Sequence, residues 1–335
     1  MKLSIIVLCL GCMVFGNGLV AQQLPQGSLY SLNPFVVNPA MSGAYDFGDL
    51  RVSYRKQWQG LEGAPVTGFV SGHSPIAYGN KVRKGAKSPR YAGGPAFRPT
   101  PPSGSFRWGL GGIFMYDKTG LTQRNTIQMT AAAHITLPNE WQLSLGGGAG
   151  ALQYQINFDE ITTATANDPL VPDGRVSVIK PYFSAGMMVR KGNFWGGASV
   201  LSPRPITLDY GTVSGSSDSR IEPHYFVTAS YRVELSQDWA VLPQVWLKGI
   251  DSFSKSVDTQ VRVQYADRIW GGVHYRVKES MGVQMGLALL ANTTLSYAYE
   301  YPLSDIRSVS TGSHEILIGI RFNNRSAVFC PPMGW

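Results

Sequence analysis

Long runs in which apolar and polar residues alternate strictly constrain this chain more than any other feature of its sequence. Residues 126–137 read TIQMTAAAHITL, residues 258–265 read DTQVRVQY and residues 314–322 read HEILIGIRF. Because successive side chains of a β-strand point to opposite faces of the sheet, a period of two predicts strands with one apolar and one polar face. The sequence therefore predicts an all-β fold.

Fourteen such runs can be counted along the chain. They lie near residues 49–57, 66–74, 106–116, 125–137, 141–155, 177–190, 193–201, 222–233, 238–249, 258–267, 269–278, 281–291, 293–301 and 312–322. Strands of soluble proteins have about 5–6 residues, whereas a tilted strand that crosses a membrane needs about 9–11. Most of these runs have the longer length, and bacterial single-chain barrels have even strand numbers. We therefore expect residues 49–322 to form a transmembrane antiparallel β-barrel.

The connections between these runs alternate in length. Tight turns are expected at 138–140, 191–192, 236–237, 267–268 and 292, and longer loops at 156–176, 202–221, 250–257 and 302–311. Because membrane barrels have short periplasmic turns and longer external loops, the tight turns are predicted to be periplasmic. Aromatic residues near strand ends are expected to form interfacial girdles; they are Trp58, Trp108, Trp141, Trp195, Trp239, Trp270, Tyr301 and Phe322. The alternative for these aromatics is the core of a soluble β-sandwich.

Residues 1–21 have the features of a secretory signal peptide. Lys2 supplies the positive charge, an apolar stretch follows, and cleavage after Ala21 leaves Gln22 as the mature N-terminus. A lipoprotein signal ending at Cys12 is the alternative. Charged residues make up only 15% of the chain, against about 25% in soluble proteins, which favours a lipid-facing surface. The expected location is the outer membrane, and Cys330 would then be the one mature cysteine.

Residues 22–48 precede the first strand and are expected to form a short plug-like segment, in the lumen or across the periplasmic mouth. The dipeptides Asn33-Pro34 and Asn38-Pro39 favour turns, and a proline has no N–H to donate to a sheet. Phe35 and Val36, between the two dipeptides, are expected to be buried.

Residues 76–105 stand out by composition, because they are rich in Pro and Gly and contain no acidic residue. Six cations are candidates for binding a partner, namely Lys81, Arg83, Lys84, Lys87, Arg90 and Arg98. Such a positive patch would attract an acidic partner or anionic lipid headgroups. The competing interpretation is a solvated loop. Residues 323–335 are interpreted as a C-terminal tail.

No constellation in the sequence indicates catalysis, a metal or a cofactor. The five histidines are scattered singly, there is no CxxC or HExxH, and the glycines at 146–148 lie in an extended run that opens no helix. These glycines are interpreted as allowing close approach of strands. Arg51 and Arg55 alternate with apolar residues, so both should point into the barrel. There they need partners such as Glu300 or Glu315.

Several segments in order resemble the PorP/SprF family of type IX secretion system membrane proteins. Residues 30–43 read YSLNPFVVNPAMSG, residues 54–65 read YRKQWQGLEGAP and residues 73–75 read HSP. Further similarities are GLGGIFMYDKTG at 109–120, EPHYF at 222–226, and SHEI at 313–316 before Arg321-Phe322. Residues 76–105 and 323–335 extend beyond the family pattern, so they inherit no role from it.

The resemblance implies an outer-membrane protein of Bacteroidota-type bacteria, needed for export or surface retention of cargo proteins and associated with adhesins in gliding relatives. It implies periplasmic lipoproteins and ring components of the secretion machine as partners, together with outer-membrane lipid and no nucleic acid. The first hypothesis is therefore a non-enzymatic component that docks machine components and cargo. The alternatives are a channel for small solutes and, less favoured, an outer-membrane hydrolase.

Overall fold

The computed structural model describes residues 27–76, 103–160, 174–208, 219–250, 254–290 and 292–322. Fourteen main strands, β1 to β14, follow one another along this part of the chain. They are Gly48–Lys56, Val66–Ile76, Phe106–Thr119, Thr122–Thr136, Gln142–Asn157, Arg175–Lys191, Phe194–Leu201, His224–Tyr231, Trp239–Ile250, Ser254–Tyr265, Ile269–Arg276, Ser280–Leu290, Thr293–Pro302 and Ser313–Phe322.

These strands form one closed antiparallel sheet. Each pairs with the next along the chain, and β1 pairs with β14 from Gly48 opposite Phe322 to Lys56 opposite His314. The two residues Val233–Glu234 continue β8 along β9, so the fifteen strand segments of the described sheet make fourteen barrel strands. The predicted all-β barrel and its strand number are confirmed.

Alternate side chains of each strand face opposite sides of the wall. In β4, Ile127 and Met129 are 58% and 67% exposed, whereas Gln128 and Thr130 are buried. The apolar face therefore points outward and the polar face points into the lumen. Lipid offers no hydrogen bonds to a backbone, so a sheet that spans it has to close on itself. No helix among the described residues is long and apolar enough to cross a membrane.

One rim of the barrel, here called the turn rim, contains the first and last barrel residues, Gly48 and Phe322. The predicted tight turns all lie at this rim, in the connections 137–141, 192–193, 235–238, 266–268 and 291–292. In one of them, Ala266 and Asp267 have φ values of 48° and 53°. Positive φ at both central residues is the type I′ conformation, whose twist suits a tight hairpin.

The connections at the opposite rim, here called the loop rim, differ from the predicted ones. The predicted loop at 250–257 is wrong, because β10 begins at Ser254 and pairs with β9 up to Ile250. Strands β3 and β4 are also joined by residues 120–121 alone. Inside the predicted loop at 202–221, Ile206–Leu208 pairs with Ser219–Ile221 in a small hairpin. These pairings are made by backbone hydrogen bonds, so the alternation of side chains in the sequence does not reveal them.

The predicted aromatic girdle is partly wrong. Trp108, Trp141, Trp239, Tyr301 and Phe322 are exposed on the outer face. Trp195 and Trp270 instead face the lumen and are only 2% and 6% exposed, because both occupy positions in phase with the polar residues of their strands. The guanidinium carbon of Arg262 lies 5.3 Å from the centre of the Trp270 ring, which gives this indole a cationic partner inside the barrel.

Residues 28–45, here called the lumenal segment, are all buried although they belong to no strand. The segment contains two single-turn 3-10 helices, Pro34–Val36 and Pro39–Met41. Its contacts are with inward-facing side chains of the wall, so it lies inside the barrel. The interpreted signal peptide at 1–21, the six cations of the basic segment and the tail with Cys330 lie outside the described residues.

Candidate functional site

The lumen is the candidate functional site, and the two Asn-Pro dipeptides anchor the lumenal segment in it. Asn33 Nδ2 donates a hydrogen bond to Ser71 Oγ at 2.8 Å. Phe35 is 1% exposed, and its ring centre lies 4.6 Å from that of His73. Asn38 accepts a hydrogen bond from Ala40 N at 3.0 Å and donates one to the Met187 carbonyl at 3.1 Å.

Glycines on the inner face of the wall make room for this segment. A Cβ atom added to Gly146 would lie 2.5 Å from the backbone nitrogen of Ala40. One added to Gly109 would lie 2.0 Å from the Ser42 carbonyl oxygen, and one added to Gly186 would lie 2.1 Å from Asn38 Oδ1. The interpretation of the glycine run as a place where strands approach one another is therefore incomplete, because inward glycines let the segment contact the wall.

Two histidines fix the end of the segment nearer the turn rim. His134 Nε2 contacts the Ser42 carbonyl oxygen at 2.7 Å, and because a carbonyl only accepts, this nitrogen carries the proton. His73 Nδ1 accepts from Gly43 N at 3.1 Å. Ser42 Oγ and Thr130 Oγ1 form a further hydrogen bond of 2.8 Å. Both histidines thus act as hydrogen-bonding partners of the segment's backbone.

A group of six charged residues, five of them buried and Lys248 half-buried, holds the other end of the segment and is here called the outer charge cluster. Its members are Arg55, Lys248, Asp258, Arg276, Glu300 and Glu315. Arg55 lies 3.1 Å from Glu300 and 3.3 Å from Glu315, which confirms the predicted inward orientation and partners. Three cations face three carboxylates, and Arg276 also lies 3.8 Å from the carboxylate of Glu279.

The lumenal segment enters this cluster through Ser28. The backbone N–H of Ser28 donates to Glu315 at 2.7 Å and its hydroxyl donates to Glu300 at 2.7 Å. Arg55 also donates to the Ser28 hydroxyl. Arg51, the second arginine predicted to point inward, pairs instead with Asp49 on its own strand at 2.9 Å. The segment is therefore tied to both ends of the barrel.

A small cavity of about 30 Å³, enough for about two or three water molecules, remains beside the segment, toward the loop rim. The strands β3 to β8, the small hairpin and the segment itself contribute to its walls, and most of the lining side chains are apolar. Neither the cavity nor the role of Arg124 in its wall is predicted by the sequence alone. The alternation of side chains along β4 predicts that Arg124 faces inward. This alternation cannot distinguish an arginine that has a partner from one that has none.

The segment 54–65, which carries the YRKQWQGLEGAP motif, makes backbone hydrogen bonds with neighbouring connections at the loop rim. Gln59 N donates to the Gly312 carbonyl at 2.7 Å, and Thr311 N donates to the Gln59 carbonyl at 2.8 Å. Gly120 N donates to the Gly63 carbonyl at 2.8 Å. The motif thus joins the connections that follow β1, β3 and β13.

Among the described residues, no group of three or more His, Cys, Asp or Glu is placed to hold a metal ion. The six candidate partner-binding cations lie outside the described residues. The flanking residues Ile76 and Phe106 belong to strands that end and begin at the turn rim.

Comparison with solved structures finds other barrels at low identity. The toluene transporter TbuX of Ralstonia pickettii has 10% identity and a TM-score of 0.49 over 88% of this chain and 93% of that one. A Pseudomonas aeruginosa FadL homologue has 11% identity and a TM-score of 0.46, over 90% and 95% of the two chains. Outer membrane protein Omp33 of Acinetobacter baumannii has 8% identity and a TM-score of 0.44, over 83% and 99%. Similarity of this degree says nothing about function.

No curated protein matches the sequence. A family model described as type IX secretion system membrane protein PorP/SprF matches residues 19–320, which is most of the chain. A closed barrel with an apolar outer face is the structure of bacterial outer-membrane proteins, and the family is one of membrane proteins. The protein is accordingly an outer-membrane β-barrel, and the chain belongs to the PorP/SprF family of type IX secretion system membrane proteins.

Proposed function

We propose that the protein supports export or surface attachment of cargo proteins by docking components of the type IX secretion machine and the cargo itself. The observation that carries this proposal is the filled lumen. Residues 28–45 are buried without interruption and are hydrogen-bonded to the wall at both ends. A barrel whose interior holds its own chain is better suited to present its rims to partners than to conduct solutes.

The proposed partners are periplasmic lipoproteins and ring components at the turn rim, and secreted cargo or a surface adhesin. They are the partners that family resemblance implies, and no catalytic role is proposed. The signal peptide at residues 1–21 would direct export of the protein, and its cleavage would leave Gln22 as the mature N-terminus.

The experiment that tests this function is deletion of the protein followed by analysis of secreted and surface-attached proteins. Docking predicts that type IX cargo is lost from the medium or from the cell surface, and that the wild-type protein restores it. Normal secretion together with impaired uptake of a small solute would contradict docking and favour the alternative, a channel. The cavity beside the lumenal segment is the observation that keeps this alternative in view.

We further propose that the six cations of the basic segment contribute to docking on the periplasmic side. Replacement of Lys81, Arg83, Lys84, Lys87, Arg90 and Arg98 by Ser should leave the barrel assembled, because these residues lie in the sequence between the end of β2 and the start of β3. Co-purification of periplasmic machine components should fall and should become less sensitive to salt, since salt screens such contacts within about 8–10 Å. Co-purification and secretion equal to wild type would make the segment a passive insertion.

A further inference from the structure

One strand of the barrel extends beyond its neighbour at the loop rim. β6 begins at Arg175 and is paired with β5 from that residue onward. On the other side, β7 pairs with β6 only from Ser184, which lies opposite Leu201. Within the described part of the chain, residues 175–181 therefore have a partner strand on one side only, and this stretch is here called the open edge.

The last hydrogen bond between β6 and the chain after β7 shows which backbone groups face the open side. Ser202 N donates to the Phe183 carbonyl oxygen at 2.8 Å. Ser202 has a φ value of 54°, and the pairing with β6 ends there. Because the backbone groups of alternate residues point to the same side of a strand, the open side presents the N–H and C=O groups of Arg175, Ser177 and Ile179.

The position of Pro181 in β6 fits an open edge. Pro181 belongs to the same alternate set as Ser177, so the N–H that a proline lacks would have faced the open side, and no hydrogen bond to β5 is lost. Prolines and lysines are residues that protect sheet edges from unwanted pairing. Lys180 and Pro181 stand together at one end of the open edge, whereas residues 175–179 contain neither. The backbone groups of 175–179 are therefore left open to a partner.

The open edge lies outside the hydrocarbon layer of the membrane. Lipid cannot satisfy unpaired backbone groups, so an edge of this kind has to lie in water or against protein. The outer face of the wall beside the edge is also polar. Gln153 Nε2 donates to Ser177 Oγ at 3.1 Å, and Asn125 Nδ2 donates to Gln153 Oε1 at 3.1 Å. The edge therefore projects from the loop rim, which is the rim predicted to be external.

We propose that the open edge binds an extended segment of the secreted cargo, which adds a strand to β6. In this mode of recognition, main-chain hydrogen bonds give affinity and alternate side chains give specificity. The edge contains two cations, Arg175 and Lys180, and no acidic residue, while Val176 and Val178 face inward. A segment that fits the edge alternates apolar and polar side chains and carries an acidic residue. The proposal rests on the docking function, since it names the part of the barrel that the cargo contacts.

The first measurement is hydrogen exchange, read residue by residue on the full-length protein in phosphatidylcholine nanodiscs. The probe is a short synthetic peptide that alternates valine with threonine and glutamate, and the control is the same peptide with every amide N-methylated. In the free protein, the amides of Ser177 and Ile179 should exchange faster than those of Val176 and Val178, which face β5. The probe should slow Ser177 and Ile179 by at least about tenfold, because each gains a hydrogen bond, and the methylated peptide should not.

Two results of this measurement would overturn the proposal. Slow exchange of Ser177 and Ile179 in the free protein would mean that the chain itself, or a second copy, already covers the edge. Exchange that millimolar probe leaves unchanged would mean that the edge is protected and accepts no strand. Neither result depends on secretion, so the docking function can stand while this proposal fails.

The second measurement is the amount of type IX cargo at the cell surface. Ser177→Pro removes an N–H from the open side without removing a bond to β5. Asp305→Pro is the matched control, because Asp305 is exposed at the same rim and begins a 3-10 helix, where a proline fits. If the Ser177→Pro barrel does not assemble, Ile179→Pro takes its place, and the exchange measurement needs no variant.

We expect surface cargo to fall in Ser177→Pro to the level of the deletion strain and to match wild type in Asp305→Pro. Cargo that is lost on deletion but retained at the wild-type level by an assembled Ser177→Pro barrel would overturn the proposal and leave docking intact. Cargo unaffected by deletion would instead contradict docking, and the exchange measurement would still decide whether the edge binds a strand.

Discussion

The guanidinium of Arg55 joins residues that are far apart in the sequence. It pairs with Glu300 on β13 and Glu315 on β14 and also holds Ser28 at the start of the lumenal segment. Its side chain is 3% exposed. Breaking a buried ion pair by removing one partner leaves an uncompensated charge, which is costly in a site with little access to water.

Arg55→Gln is therefore expected to lower the free energy of unfolding by about 3–5 kcal/mol. The measurement is the temperature at which the purified barrel loses its compact, heat-modifiable form on a gel. Lys56→Gln is the matched control, because Lys56 is the next residue on β1 and is exposed. Equal midpoints for the two variants would show that the cluster does not stabilise the barrel.

The sequence predicted some of these side chains and not others, for a physical reason. Arg51 and Arg55 lie in a short strand in which polar and apolar residues alternate clearly. Their positions in this alternation are enough to predict that both point inward. Arg124 has the same parity, but the number of its guanidinium nitrogens that find hydrogen-bond acceptors depends on residues from several strands. Trp195 and Trp270 lie near strand ends but face the lumen, because the alternation along the strand, and not closeness to its end, determines the side of the wall.

At the level of strands and segments, glycines on the inner face of the wall leave the space that the lumenal segment occupies. Gly146 faces the lumen, and a Cβ atom added to it would lie 2.5 Å from the backbone of Pro39 and Ala40, whereas Gly147 faces outward. A methyl group added at the first position meets protein atoms, but at the second its nearest neighbour is the Ser184 carbonyl oxygen at 3.8 Å. Substitutions at these two adjacent positions of β5 therefore distinguish a disturbed contact with the segment from a disturbed strand.

Gly146→Ala is expected to destabilise the protein by about 1–3 kcal/mol, because the new methyl group overpacks the contact with the segment. Gly147→Ala should have little effect. Thermal unfolding of the two purified variants gives the comparison. A Gly146→Ala variant as stable as Gly147→Ala would mean that the segment does not pack against β5 as described.

Strands were the most predictable elements of this fold, since a membrane barrel imposes period two on long runs of sequence. Two things escaped prediction. The hairpin at residues 206–208 and 219–221 has three residues in each strand, too few to show a period. The lumenal segment was expected from its Asn-Pro dipeptides, but its contacts with wall strands from β1 to β14 have no local sequence signal, because they depend on how the barrel closes.

For the molecule as a whole, the asymmetry of the two rims predicts its orientation in the membrane. Both barrel ends and the tight turns lie at the turn rim, so this rim is predicted to be periplasmic and the loop rim external. An epitope inserted at Ser214–Ser217, between β7 and β8, should be labelled on intact cells. An epitope inserted in the tight turn at 192–193 is the control and should need permeabilised cells. The reverse pattern would invert the topology.

The central claim is that the protein acts as a docking component whose lumen stays filled. The most direct test locks the lumenal segment in place with a disulfide, by Ser42→Cys and Thr130→Cys in a Cys330→Ser background, since the two hydroxyl oxygens lie 2.8 Å apart. The single substitutions are the controls, and the measurement is the amount of type IX cargo secreted once the disulfide has formed. The account predicts wild-type secretion by the locked protein. Secretion that is lost only in the locked protein and returns on reduction would contradict it.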